Sequence, residues 1–284
     1  MSLPSKKYLA ILVVAVLAVL GGLVGPRVYG RDANGSAKDR IEASPPPALF
    51  PDHQVAEVDR LVTPQDRRAH RLMRAWWAGH GAGRHDAAFV AWVEESFPSP
   101  PGAAARTREL ARVDALARTR SAAGVEAATW LEQFGKKDVW KLFAHDQAEW
   151  VAGGTGDARK SGEKDLLSMT KTIADDLGTK FQQSAPYVLE PSLRPDHTVK
   201  DGQVCPCSYP SRHAGAAAAS RVFLGHLMPH RVGDYRWMED EIDFSRIYMA
   251  GHVPSDISGG SLLGDMVGEY FLVTRTGAAP EALG

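Results

Sequence analysis

The chain has 284 residues, with 33 Lys and Arg against 34 Asp and Glu, a formal net charge of −1 and a sequence pI of about 6.8. That balance supplies no basic field, so no nucleic-acid partner is expected. With 44% apolar and 24% charged residues the chain can bury a sizeable core. Abundant Ala and Arg, with few β-branched runs after residue 30, predict an all-α fold.

Lys6 and Lys7 precede an uncharged run from Tyr8 to Pro26, 19 residues. As a helix it would measure roughly 28 Å, close to the hydrocarbon thickness of a bilayer. Residues 1–30 therefore read as a membrane anchor or a signal peptide, with Val28-Tyr29-Gly30 as the cleavage site in the second case. The length of the run and the lack of a clean Ala-x-Ala favour a retained anchor. The two lysines stay cytoplasmic, which places the remainder outside the cytoplasm, at the cell membrane through one span or secreted. Residues 31–50, polar and carrying Pro45-Pro46-Pro47, read as a flexible linker, and 51–284 as one helical domain.

Within that domain Thr63-Pro64 looks like a cap and first-turn proline, opening a helix to about Trp77. Its Arg67, Arg68, Arg71 and Arg74 form a solvated face. Glycines from Gly79 to Gly83 break the chain before a helix near His85 to Phe97, and Pro98, Pro100 and Pro101 end that one. Further helices are predicted over 102–121, 124–134, 136–151 and 162–183. Gly153-Gly154-Thr155-Gly156 is a loop without the Gly-Lys-Ser/Thr ending of a phosphate loop. Trp76, Trp77, Trp92, Trp130, Trp140 and Trp150 read as core. Pro186 to Gln203 is a long irregular segment containing Arg194-Pro195, and helices resume at Ser211, near Glu239 to Ala250, and from Pro254 to about Leu272.

Two short segments carry the chemistry. In Pro210-Ser211-Arg212-His213, Ser211 caps a helix that continues through Ala214 to Ser220. The free amides and hydroxyl there suit phosphate oxygens, and His213 in the first turn can protonate a leaving oxygen. The alanines from Ala216 to Ala219 let another helix approach closely. In the second segment Pro254 suits a first helical turn, with His252 just before it. Asp256, four residues on, can fix the tautomer of His252 and leave its other nitrogen free to attack. Arg246, six residues before His252, can fork onto phosphate oxygens. His226 and His230 sit four apart on a conceivable helix, a weak metal pair; His80 and His85 read as surface residues.

These segments resemble the type-two phosphatidic acid phosphatase superfamily, whose relatives include bacterial class A acid phosphatases and vanadium-dependent haloperoxidases. That family shows Lys-x6-Arg-Pro, then Pro-Ser-Gly-His, then Ser-Arg-x5-His-x3-Asp. Ser245, Arg246, His252 and Asp256 match the third motif in full, Pro210, Ser211 and His213 the second, and only Arg194 and Pro195 the first. The likeness covers about residues 165–272. It implies a helical bundle of the acid phosphatase and haloperoxidase type, in which His252 becomes phosphohistidine, Asp256 orients it and His213 protonates the leaving group. It implies that Arg194, Arg246 and Ser211 bind phosphate; Arg212, beside them, is expected to add its backbone amide and positive charge. The expected substrate is a phosphorylated small molecule or a lipid phosphate or diphosphate, with no catalytic metal or other cofactor. Vanadate would be an inhibitor or, in the haloperoxidase branch, the cofactor.

The chain departs from the pattern twice. The family lysine falls at Tyr187, with Lys180 as a substitute if the loop carries an insertion, and Arg212 replaces the usual glycine. These departures keep a non-catalytic phosphate- or lipid-binding protein open beside the enzyme. Cys205-Pro206-Cys207 reads as two free thiols, with a local disulfide shaping the loop before Ser211 as the alternative.

Overall fold

The computed structural model describes residues 35–150, 155–194 and 206–283, with 146–150 and 155–161 as backbone only. Every regular element among them is helical: α1 (Ala37–Ala43), α2 (Asp52–His80), α3 (Asp86–Ser96), α4 (Ala103–Ala117), α5 (Ala122–Phe134), α6 (Asp138–Trp150), α7 (Thr155–Phe181), the single turn α8 (Pro186–Leu189), α9 (Arg212–Leu227), α10 (Val232–Tyr248) and α11 (Pro254–Phe271). The anchor or signal segment expected over 1–30 lies outside the described residues. No described helix is long and apolar enough to cross a membrane.

The bundle is built around α9 and α11, which pack on each other more extensively than any other pair. Their sequences explain it. Gly260, Gly264 and Gly268 recur every fourth residue on one face of α11 and meet Ala214, Ala218 and Val222 of α9. A methyl added at Gly264 would stand 2.6 Å from the Ala218 Cβ, and one at Gly268 2.7 Å from the Val222 Cβ. The two backbones therefore approach where side chains would otherwise separate them, as the alanine run leads one to expect. Around this pair stand α2 and α7 against α11, and α7 and α10 against α9.

Four local readings change. Pro64 does not open a helix but lies inside the 29-residue α2. Thr63, instead of capping, donates its hydroxyl to Asp59 Oδ1 at 2.9 Å. An interior proline costs about 3 kcal/mol. One buried stripe, Val55, Val58 and Val62 before it and Ala69, Met73 and Trp76 after it, offsets that cost, since each large apolar side chain contributes about 1.5–3 kcal/mol. Residues 37–43, within the span read as linker, form α1. Ser36 and Asp39 make a reciprocal capping box, Ile41 is buried, and Arg40 reaches Asp138 at 2.6 Å. α10 begins at Val232, because a single 3-10 turn at Pro229–Arg231 absorbs the breaking residues. Cys207 is disulfide-bonded, which corrects the free-thiol reading.

The core is rich in aromatic contacts: Trp76, Trp77, Trp130 and Trp140 are buried and Trp92 is half-buried. It also holds charge. Arg221 binds Glu239 Oε2 at 2.5 Å and both Asp66 and Asp265, at 2.6 and 2.5 Å, while Arg236 reaches Asp66 and Glu239. Asp240 and Asp243 are buried beside this cluster, and Glu241 is buried where it accepts from the Phe50 amide. Carboxylates outnumber guanidinia here, so burial raises Asp240 to about 8 and Asp243 well above its ordinary value.

Candidate active site

The residues singled out on α9 and α11 are brought together by main-chain geometry. Ser211 is the N-cap of α9; its Oγ accepts from the Ala214 amide at 3.4 Å, and its own amide donates to the Asp256 carbonyl at 2.9 Å. The start of α9 is thus laid against the first turn of α11. There Asp256, fully buried, turns its carboxylate back to accept from the Val253 amide at 3.0 Å. It also accepts from Ser208 Oγ at 2.5 Å and from Arg106 Nη1 of α4 at 3.2 Å.

His252 sits just before α11, with Nδ1 3.3 Å from Ser208 Oγ and 3.6 Å from Asp256 Oδ2. The Ser208 hydroxyl has one proton, and the shorter contact gives it to Asp256. The imidazole must therefore donate Nδ1–H to the Ser208 oxygen, which leaves Nε2 with a bare lone pair. Burial lowers the His252 pKa; the hydrogen bond and charge of Asp256 oppose this, and the charge of Arg246 adds to it. Burial would raise Asp256, but His252, Arg106 and Ser208 outweigh it and hold the carboxyl below its usual range. The arrangement is a neutral imidazole oriented by a hydroxyl and a buried carboxylate.

Arg246, in the last turn of α10, lies against the backbone beside that ring: a Cβ at Gly251 would be 2.6 Å from Arg246 Nη2. The same Nη2 is 3.2 Å from Glu132 Oε1 on α5, and Arg194 Nη1 is 3.3 Å from Glu132 Oε2. Both guanidinia are buried, 6% exposed, and Nε and Nη1 of Arg246 and Nε of Arg194 have no hydrogen-bond partner among the described residues. Tyr187, where the resembled motif would have lysine, faces Arg194 with its ring centroid 5.5 Å from Cζ. Pro195 lies outside the described residues.

His213, in the first turn of α9, has Nε2 3.0 Å from the Glu132 carbonyl oxygen. That oxygen only accepts, so Nε2 carries a proton and Nδ1 is the nitrogen left to take up and deliver another. Burial and then the charge of Arg246 push its pKa well below the ordinary histidine value. The charge of Arg246 thus bears on both rings.

Three of the expected phosphate ligands are engaged otherwise. The Ser211 hydroxyl serves its cap. Arg212 extends to Asp175 of α7 at 3.0 Å. Lys180 does not replace the missing lysine at the arginines, because its Nζ is held by the Glu94 carbonyl at 2.6 Å at the end of α3. A different lysine shares the field: burial, then the charges of Arg212 and Arg246, lower the pKa of Lys136. His226 and His230 are both exposed, and α9 ends between them.

Ser208, Arg106, Glu132 and Lys136 are not assigned from the sequence. Ser208 lies three residues before Ser211, just ahead of the Pro210–His213 segment. The others stand on α4 and α5 or in the turn that follows α5, with Arg106 150 residues from Asp256 and Glu132 114 from Arg246, and no local pattern marks them. Comparison with models of known protein families gives no match for this chain, and comparison with curated protein sequences gives none either.

Proposed function

We propose that the chain is a phosphoric ester hydrolase of the acid phosphatase and haloperoxidase bundle type, acting on phosphate monoesters or lipid phosphates through a phosphohistidine at His252. Nε2 of His252 attacks phosphorus, the bond to the ester oxygen breaks, and protonated His213 gives that oxygen its proton. Water then attacks phosphorus while His213 takes its proton, the phosphorus–nitrogen bond breaks with its electron pair returning to Nε2, and inorganic phosphate leaves. Arg194 and Arg246 neutralise the equatorial oxygens, aided by the amides that open α9.

The observation that carries this reading is the set of buried guanidinium donors without partners among the described residues, beside an imidazole whose Nε2 is bare. Buried donors normally find partners, and charged ones above all. A tetrahedral oxyanion would satisfy them. The spacing of Ser245, Arg246, His252 and Asp256 and the resemblance it carries support the same chemistry. Tyr187 in the lysine position favours the second reading, a protein that binds phosphate without turning it over.

The test is phosphate release from p-nitrophenyl phosphate and from a lipid phosphate, with inhibition by vanadate. Turnover should fall about a thousandfold or more in H252A. Folded wild-type protein that turns over neither substrate would contradict the enzymatic reading.

A further inference from the structure

The carboxylate of Glu132 stands where the proposed phosphate would bind. Its two oxygens are divided between two arginines, one contact each, at 3.2 Å to Arg246 and 3.3 Å to Arg194. Charge-assisted contacts of good geometry fall at about 2.7–2.9 Å, so both are long. They also leave the three buried donors without partners among the described residues. A carboxylate has two oxygens to offer; a tetrahedral oxyanion has three or four and can fork onto Arg246 through Nε and an Nη.

Glu132 is also placed to leave. Its side chain is 32% exposed against 6% for each arginine, so rotation about its own bonds takes the carboxylate into water without moving α5. Its main-chain oxygen, which holds His213, stays in place during that rotation.

We propose that Glu132 is a displaceable internal anion, occupying the pocket between Arg194 and Arg246 in the free protein and yielding it to the phosphate group of the substrate. The inference rests on the phosphate-site reading given above. Glu132 then sets how strongly an oxyanion must bind in order to enter. The opposing role is a brace that holds the arginines in position, and the two roles differ in sign.

Inorganic phosphate is titrated calorimetrically into the full chain and into E132Q and E132D, with R246A/E132Q as the control. E132Q should bind phosphate about tenfold or more tightly than wild type, the worth of removing a charged competitor from a hydrogen-bonding site. E132D, too short to bridge both arginines, should move the same way, and R246A/E132Q should lose the gain. Equal or weaker phosphate binding by E132Q and E132D would overturn the proposal and favour the brace. In a structure of the wild-type chain with phosphate bound, the Glu132 carboxylate should have left both guanidinia; retained contacts beside bound phosphate would overturn it too. Binding is read without turnover. Tighter phosphate in E132Q with no hydrolysis by wild type would leave this inference standing and remove the catalytic one. Hydrolysis by wild type with unchanged phosphate affinity in E132Q would do the reverse.

Discussion

The amide of Ser211 donates to the carbonyl oxygen of Asp256 at 2.9 Å. This one bond joins the N-terminus of α9 to the first turn of α11, so the segment holding His213 and the segment holding His252 share a fixed frame. Side-chain chemistry is then set by small local contacts within that frame, and these give the first prediction.

The Ser208 hydroxyl is the side-chain group nearest His252 Nδ1, at 3.3 Å, with Asp256 Oδ2 at 3.6 Å behind it. In Ser208→Ala the Nδ1–H loses its nearest side-chain acceptor and the tautomer is less firmly fixed, with Asp256 left as the side-chain partner. Turnover should fall about tenfold or more, the equivalent of one hydrogen bond in a charged network. Nitrogen NMR of the imidazole should show Nδ1–H in wild type and a tautomer mixture in the variant. An unchanged spectrum would show that Ser208 does not orient the ring.

The pH–rate profile should lie on the acid side. His213 must be protonated to act as an acid, and His252 neutral to attack. Burial and the charge of Arg246 lower both rings. In the free protein both limbs of kcat/KM should therefore fall below 6.5, the ordinary histidine value. Bound phosphate adds negative charge beside His213 and raises it, so the basic limb of kcat should lie at higher pH than that of kcat/KM. Coincident limbs above pH 7 would contradict this.

Stability should decline from mildly acidic to mildly alkaline pH. Burial raises Asp240 and Glu163 to about 8 and Glu241 to about 7, from ordinary values of 3.8, 4.5 and 4.5. The folded chain keeps these protons after the unfolded chain has released them. Their stabilisation is full below the unfolded values and is lost as pH rises through 7 to 8. His213 and His252, lowered by burial, act in the opposite sense as pH falls below 6.5, but over a narrower range than the three raised carboxyls, and Asp66, Asp86 and Asp256, also lowered, lose their stabilisation as pH falls below about 4. The melting temperature should be higher at pH 5 than at pH 8, and Asp240→Asn should narrow the gap. A higher value at pH 8 would contradict the assignment.

The close approach of α9 and α11 gives a stability test that does not touch the chemistry. Gly264→Val forces a branched side chain against Ala218 and should destabilise by about 3 kcal/mol in a urea titration. Gly79→Ala, in α2 with nothing within 4 Å of the added methyl, should be neutral or stabilising by about 1 kcal/mol. Equal effects would show that the glycine stripe does not set the helix spacing.

Much of the frame is legible in the chain because its signals are local. Ser211 and Pro254 mark the two helix starts that matter, and the alanine run after His213 announces a close neighbour. Pro64 misleads because a local helix breaker is outweighed by burial of a stripe that reaches back to Val55. α10 starts at Val232 because a single 3-10 turn contains residues that look like a longer break. Arg106, Glu132 and Lys136 are invisible for another reason: each belongs to a helix or turn with its own solvent-facing polar residues, and only tertiary packing chooses which of them turn inward. Lys180 shows the converse, since its position in the chain suggests the arginines and its side chain goes to Glu94.

The most direct measurement is the covalent one. Wild-type protein mixed with a radiolabelled phosphate ester and quenched in alkali should carry an acid-labile, alkali-stable phosphoryl group, which mass spectrometry places on His252. H252A should carry none, and H213A should accumulate label if dephosphorylation needs its base. Turnover without label on His252, or label that persists in H252A, would contradict the account.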